Sequence, residues 1–456
     1  MHRIRLHHVF IGLLALAVAR PLAAQTTPAD RPALSQPLTL DAAISYALKN
    51  NREVGGSGES VAIAQDAVAN ARTKRLPSLE VSSMTGQPIT EVGVDFPAGA
   101  FGVFPGIGPV PSVDTQVTSP RRPVVQAAAS LTQPLTQLHR LNLSVKATSL
   151  GLDIEQERRR ETMQATAANV RKAYYGLLQI DASLRAAEAV LASAKALDGV
   201  VTERVAQRVV LKGDGLQSQL RVAEAAQQRL TLQHARAERE EQFNLLLGRD
   251  PRTPVVVVPV PIRDDSDVDL DAVIRDAIER RADVRAARLR VQRAEVEQRA
   301  VEAGRIPDVS LAVSYQSFYN TDLLPKNLAS VGVQVKWEPW DWGRRQREAN
   351  QKGHEIAQAR LALKQAEDTV RIEVARSFRD IQRARGDVLI ARASEEVAQD
   401  RARVTTERIK VAAALPVDGL SANTDLAEAG AKAQDALSGY WAARAAYEQA
   451  IGEDVR

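Results

Sequence analysis

The chain has 456 residues, a formal net charge of +4 and no cysteine. The lack of cysteine excludes disulfides, thiolate metal ligands and a lipid-modified N-terminal cysteine. The weak net charge, with basic and acidic residues alternating as in 155–161, indicates solvated helix faces rather than a nucleic-acid surface.

Residues 1–24 have the pattern of a secretory signal peptide. Basic residues precede an apolar run over 9–19, and small residues follow near Ala24, where we expect cleavage. This run has about half the length of a bilayer-spanning helix, so a retained anchor is the weaker alternative. No later stretch approaches about 18 consecutive apolar residues, which predicts an exported chain without a spanning helix.

After an N-terminal linker over 25–37, the sequence contains one pattern twice. An offset of 230 carries Arg75-Leu-Pro77 onto Arg305-Ile-Pro307, and a later offset of 204 carries Asp214-Gly-Leu216 onto Asp418-Gly-Leu420. The change of offset gives the first copy 26 extra residues. Such a long unit indicates two halves of one architecture, 38–250 and 268–456, joined by a linker over 251–267.

Each copy begins with helical spacing and changes to strand spacing after a proline. Helical patterns over 40–50, 61–75 and 270–305 end at Pro77 or Pro307. Apolar residues then alternate, which predicts one β-hairpin per copy, over about 79–135 and 308–338. The connection over 88–123 is rich in glycine and proline and holds the surplus residues, so we expect an irregular, mobile excursion there.

A very long helix follows each hairpin, over about 142–207 and 344–414. Breakers are almost absent, and about 65 residues span roughly 100 Å, so lateral packing as antiparallel coiled coils is expected. Breaks at 212–215 and 415–419 predict helical-hairpin tips, with return helices reaching 248 and 452.

The predicted fold is mainly α with a small β contribution. Four strands cannot close a barrel, whereas three chains would supply a 12-stranded barrel and gather the long helices into an α-barrel. We therefore expect a homotrimer that forms a tube.

This order of elements in both halves resembles the TolC-like outer membrane efflux protein (OEP) family over about 38–452. The segment 335–345, VKWEPWDWGRR, is similar to the family's strand-to-helix junction, of which the first copy keeps only Gln133-Pro134-Leu135. The resemblance implies a passive exit duct of a tripartite efflux or type I secretion system, in the outer membrane and extending into the periplasm. Its partners would be a periplasmic adaptor (membrane fusion protein), an inner-membrane pump and outer-membrane lipid, with no cofactor and no nucleic acid.

The alternative is a soluble periplasmic coiled-coil adaptor or scaffold, which accounts for neither the two hairpins nor the duplication. A secreted enzyme is a third possibility. The sequence contains no H-E-x-x-H, P-loop or G-x-S-x-G motif, and His139, His234 and His354 are far apart. We therefore predict neither catalytic nor metal-binding residues.

The family resemblance assigns roles to the two tips. Asp214 and Asp418 would line a periplasmic gate as carboxylate rings, with Ser421 in place of a second gate aspartate; the alternative is ordinary turn chemistry before glycine. Ile409 and Ala414 stand where the family has its latch tyrosine and arginine, so that latch is absent. The residues expected to contact the adaptor are Arg208, Gly213, Gly215, Ala412 and Gly419.

Three of the four tryptophans, Trp337, Trp340 and Trp342, lie close together after the last predicted strand. Indole rings favour the boundary between lipid and water, which predicts an aromatic girdle at the membrane interface. The alternative is ordinary packing where strand meets helix.

Overall fold

The computed structural model describes residues 37–87, 89–90, 92–119, 122–260, 269–320, 325–411 and 413–452. The predicted signal peptide, nearly all of the N-terminal linker and Ala412 lie outside these residues. No helix in the described part of the chain has the length and apolarity needed to cross a bilayer.

The two halves have the same order of helices and long strands. The first half contains α1 (Leu40–Asn50), α2 (Arg52–Thr73), β1 (Ser78–Gly86), β2 (Val92–Phe96), β3 (Val103–Phe104), β4 (Gly108–Pro109), β5 (Thr115–Ser119), β6 (Val124–Pro134), α3 (Leu138–Ala206) and α4 (Lys212–Leu247). The second half contains α5 (Leu270–Arg280), α6 (Ala282–Ala303), β7 (Asp308–Tyr319), β8 (Asn327–Lys336), α7 (Arg344–Lys410) and α8 (Pro416–Ala450).

The two long hairpins join into one antiparallel sheet with the strand order β1-β6-β7-β8. The central pair, β6 and β7, places Ala129 opposite Tyr315. In the described residues, neither β1 nor β8 has a partner strand along its outer edge. The sheet of one chain is therefore open at both sides.

The prediction of an irregular connection in the first hairpin was wrong. Strand β2 pairs with β5, with Val94 opposite Val117, and β3 pairs with β4 closer to the tip. Glycines with positive φ angles, among them Gly99, Gly102 and Gly106, form the turns between these short strands. The glycine and proline content therefore marks the turns of a β-ribbon, not a lack of order.

The helices form two long hairpins packed side by side. Helix α3 has 69 residues and α7 has 67, and they pair with α4 and α8, while α3 also packs against α8. The main core lies at this contact, where the rings of Tyr175 and Trp441 stack with centroids 4.4 Å apart. Tyr174 of α3 contacts both the segment before α1 and the linker between the halves. Its hydroxyl lies 2.9 Å from Leu38 O and accepts a hydrogen bond of 2.9 Å from Val258 N–H.

The same contact occurs once in each half, at the end of the return helix, which is α4 in the first half and α8 in the second. Gly248 and Gly452 follow α4 and α8 in the left-handed region, with φ of 74° and 64°. Asn51 and Arg281, which precede α2 and α6, donate hydrogen bonds to last-turn carbonyls of α4 (2.8 Å) and α8 (3.4 Å). A Cβ on Gly248 would lie 2.2 Å from the Asn50 carbonyl oxygen, so this close approach requires glycine.

Candidate functional site

The first helical tip is a turn over 207–211 between α3 and α4. The predicted break at 212–215 was wrong, because Gly213, Asp214 and Gly215 form the first turn of α4. The chain reverses instead at Arg208, which has a φ of 62°, and at extended Leu211. Arg208 thus has a backbone conformation that favours glycine.

The second tip lies between Lys410 and Pro416, slightly before the predicted break at 415–419. Asp418 caps α8: its Oδ2 accepts a hydrogen bond of 2.9 Å from the Leu415 N–H, and its own N–H donates to Leu415 O at 3.0 Å. The carboxylate is exposed, as is Ser421 one helical turn later. One carboxylate oxygen of Asp418 therefore serves the helix end, and the other is available to solvent or an ion.

The two tips are held together by an apolar cluster, which we call the tip cluster: Leu197 and Val201 from α3 and Ile409 from α7. Ile409 is only 1% exposed, and its carbonyl oxygen accepts a hydrogen bond of 2.8 Å from Arg204 Nη2. A Cβ on Gly419 would lie 2.6 Å from Ile409 Cδ1. Ile409 is thus a buried apolar contact between the hairpins.

Polar contacts flank the tip cluster. Ser193 Oγ lies 2.7 Å from Asn423 Oδ1 between α3 and α8, and Arg401 forms an ion pair of 3.1 Å with Asp425 between α7 and α8. The tip cluster was not predicted from the sequence. The available signal was the spacing of Leu197 and Val201, four residues apart on one face of α3.

Exposure divides the predicted adaptor-contact residues into two kinds. Arg208 and Gly213 are exposed, whereas Gly215 and Gly419 are buried. Gly215 faces Val205, whose side chain would lie 3.3 Å from an added Cβ. The buried pair lets each return helix approach its partner closely.

The sheet has one apolar and one polar face. Leu79, Leu131, Val313 and Val331 lie opposite one another in a row across all four strands, and all four are exposed. The next row, on the other face, is polar, and its Ser314 and Ser330 hydroxyls are 2.7 Å apart. An apolar outer face with a polar inner face is the pattern of a transmembrane barrel.

The three tryptophans of the junction are all exposed: Trp337 by 61%, Trp340 by 72% and Trp342 by 82%. The rings of Trp340 and Trp342 contact each other edge to face at 5.9 Å. Packing within one chain therefore does not account for these side chains.

Asp341 fixes the backbone that carries the tryptophans. Its two oxygens accept hydrogen bonds from the N–H groups of Gly343 (3.1 Å) and Arg345 (3.2 Å). These two hydrogen bonds, of which the one from Arg345 N–H has the larger effect, hold the pKa of Asp341 below its usual value. Trp342 and Gly343 both have positive φ angles, so the chain makes a tight turn before α7 begins.

Within the described ranges, no group of three or more histidine, aspartate or glutamate side chains is arranged to hold a metal ion.

The family model for outer membrane efflux proteins matches residues 43–249 and 273–453. The chain belongs to the outer membrane efflux protein family. It is a TolC-like exit channel of the outer membrane that extends into the periplasm, not a soluble periplasmic adaptor. The family and the solved structures similar to this chain are channels rather than enzymes.

Solved structures of similar proteins have the same fold. The outer-membrane channel OprN is 17% identical, with a TM-score of 0.73 over 91% of this chain and 89% of that one. VceC from Vibrio cholerae is 15% identical, with a TM-score of 0.73 over 91% and 97%. CmeC from Campylobacter jejuni is 14% identical, with a TM-score of 0.73 over 91% and 85%. No curated protein sequence matches the chain. These structures confirm the predicted fold class of long helices with a small sheet.

Proposed function

We propose that three copies of this outer membrane efflux protein assemble into a passive channel-tunnel from periplasm to exterior. The observation that carries the proposal is the open sheet with its apolar row, Leu79, Leu131, Val313 and Val331. Both edge strands would otherwise expose unpaired backbone groups and promote aggregation. Pairing β8 of one copy with β1 of the next removes these open edges. Twelve strands would form a barrel with a backbone radius of about 12 Å.

In this assembly the apolar row faces outer-membrane lipid, and Trp337, Trp340 and Trp342 form the girdle at its periplasmic boundary. The strands support this placement, since β1 has 9 residues and β7 has 12, close to the roughly 9–11 that a tilted membrane strand needs. An unheated gel of outer-membrane fractions tests the assembly. A heat-modifiable trimer supports it, and recovery only as monomer overturns it.

The helical tips are the proposed contact with a periplasmic adaptor, which couples the channel to an inner-membrane pump that supplies the energy. Arg208 and Gly213 are exposed there and would touch the adaptor directly. Gly215 and Gly419 would act by keeping the helices close, and Ala412 completes the proposed surface by family resemblance.

The same end would carry the gate, with Asp214 and Asp418 as carboxylate rings around the three-fold axis and Ser421 beside the second ring. Such rings attract cations and are blocked by divalent ions. Because Asp418 also caps α8, its charge and its hydrogen bond must be tested separately.

Asp418→Asn provides this separation, because the asparagine side-chain oxygen can accept the same hydrogen bond from Leu415 N–H but carries no charge. We expect Asp418→Asn and Asp418→Ala to reduce Mg²⁺ block equally in planar bilayers. If only Asp418→Ala changes the channel, Asp418 acts as a helix cap and the gate assignment fails. Thermal unfolding of both variants measures the cap contribution independently.

A further inference from the structure

The first hairpin ends in an apolar tip beyond the four-stranded sheet. Residues 96–113, here called the ribbon tip, contain no charged side chain. Phe101, Val103, Ile107 and Val113 are 59%, 74%, 77% and 67% exposed. Exposed apolar patches of several hundred Å² are unusual on a monomer and mark contact surfaces.

The ribbon tip is ordered by its own contacts. The rings of Phe96 and Phe101 lie 5.1 Å apart, and Asp114 Oδ1 accepts a hydrogen bond of 2.8 Å from Ala98 N–H. Below it, Asn320 of the second hairpin donates to Pro123 O at 2.9 Å. The apolar side chains are therefore presented on a fixed backbone, so little further ordering is needed to bind a partner.

The strands place this surface on the exterior side of the membrane. Gly86 and Val124 pair at the end of β1 and β6 that is remote from the helices. The tryptophans lie at the opposite end of the sheet, after β8. With a girdle at the periplasmic boundary, the ribbon emerges on the outer side.

Lipid does not fit the composition of the ribbon. Residues 89–119 contain no Trp, Tyr, Lys or Arg, which are the side chains that anchor proteins at membrane interfaces and anionic headgroups. The charges next to the tip are Asp95 and Asp114, which oppose contact with an anionic surface. A protein surface of matching apolar character is the better occupant.

We propose that the ribbon tips of three copies meet over the outer mouth of the channel and form an apolar lid. The proposal rests on the trimer described above. The ribbon is long enough for its tip to reach the barrel axis. The 5 residues of β2 extend about 17 Å, more than the barrel radius of about 12 Å. An opening lined by Phe, Val and Ile side chains restricts ion flow by excluding water.

The cysteine-free chain allows a direct test. Val103→Cys and Ile107→Cys place single thiols on the ribbon tip, and Thr118→Cys in β5 is the matched control on the same ribbon. After oxidation of outer membranes, we expect disulfide-linked dimers for both tip variants and none for the control. Oxidation should also lower the single-channel conductance of Val103→Cys several-fold, reversibly with a reductant.

An unheated gel of the same samples separates the two proposals. Intact trimers without tip crosslinks would overturn the lid and leave the trimer standing, and loss of the trimer would overturn both. A bimane label on the thiol of the Val103→Cys variant provides a second measurement. Quenching of this label by nitroxide-labelled lipid would place the tip in the membrane and refute the lid. Equal conductance in oxidised and reduced channels would also refute it.

Discussion

Replacing Ile409 with alanine tests whether the tip cluster holds the two helical hairpins together. Ile409 of α7 shares this cluster with Leu197 and Val201 of α3, and none of the three is more than 5% exposed. The substitution removes three carbon atoms from a position that Gly419 also approaches closely. The polar contacts of Ser193 and Arg401 remain, so the variant should fold.

Large-to-small substitutions of this kind cost about 2–4 kcal/mol, depending on how far the surroundings collapse. If the contact exists only while the tips are closed, the whole cost acts on the opening equilibrium. Since about 1.4 kcal/mol is a factor of ten, the open population should rise by roughly 30-fold or more. The hydrogen bond from Arg204 Nη2 to the backbone carbonyl oxygen of residue 409 does not involve the isoleucine side chain, so it remains in the variant.

Hydrogen exchange at the tip amides and single-channel conductance in bilayers measure this opening. Val411→Ala is the matched control, because Val411 lies two residues away and is 74% exposed. We expect faster exchange over 197–205 and 405–411 and more frequent open events only in Ile409→Ala. If both variants match the wild type, the tip cluster does not hold the closed state.

Two further substitutions test packing and pH dependence. Gly248→Ala should destabilise the chain by about 2 kcal/mol or more in thermal unfolding, because Gly248 lies close to the Asn50 carbonyl oxygen and has a positive φ. Gly213→Ala is the control, because Gly213 lies in open space, and it should be neutral or stabilising. Equal effects of the two substitutions would contradict the reasoning. Burial raises the pKa of Glu297, but hydrogen bonds and ion pairs with Arg293 and Lys352 outweigh it and leave the pKa below its usual value. A lowered pKa stabilises the fold above the ordinary carboxyl range and loses that effect as pH falls. Glu297→Gln should therefore cost about 0.5–1 kcal/mol at pH 7 and nothing at about pH 3, and a pH-independent cost would refute the assignment.

The sequence predicted elements well where one periodicity ran without interruption. Alternation over β7 and β8 located the second hairpin within two residues, and α7 was expected from residue 344, where it begins. The strands alternate apolar and polar residues because the two faces of the sheet differ, and α7 contains almost no helix breakers, so both leave a regular trace in the sequence.

Predictions failed where local glycine chemistry was read without its surroundings. Gly213 and Gly215 suggested a break, yet they lie inside α4, and the turn is made by Arg208, a residue that does not favour positive φ. Similarly, the first hairpin's connection looked irregular because its strands are short and closely spaced between turns. The spacing of Leu197 and Val201 marks a shared helix face, but nothing in the sequence pairs that face with the distant Ile409.

The two aspartates of the proposed gate are equivalent in sequence but not in structure. Asp418 accepts a hydrogen bond from the N–H of Leu415, the residue before α8, whereas among the described residues no such bond joins Asp214 to Leu211 at the start of α4, and Asp214 is half-buried. Only in the second tip, therefore, does the aspartate of the proposed gate also hold the start of a helix. At the proposed gate, a cation bound to the Asp418 carboxylate would compete with its hydrogen bond from Leu415 N–H, whereas a cation at Asp214 would change only the charge. In the proposed trimer, three tips would then respond to cations in their structure and three would not.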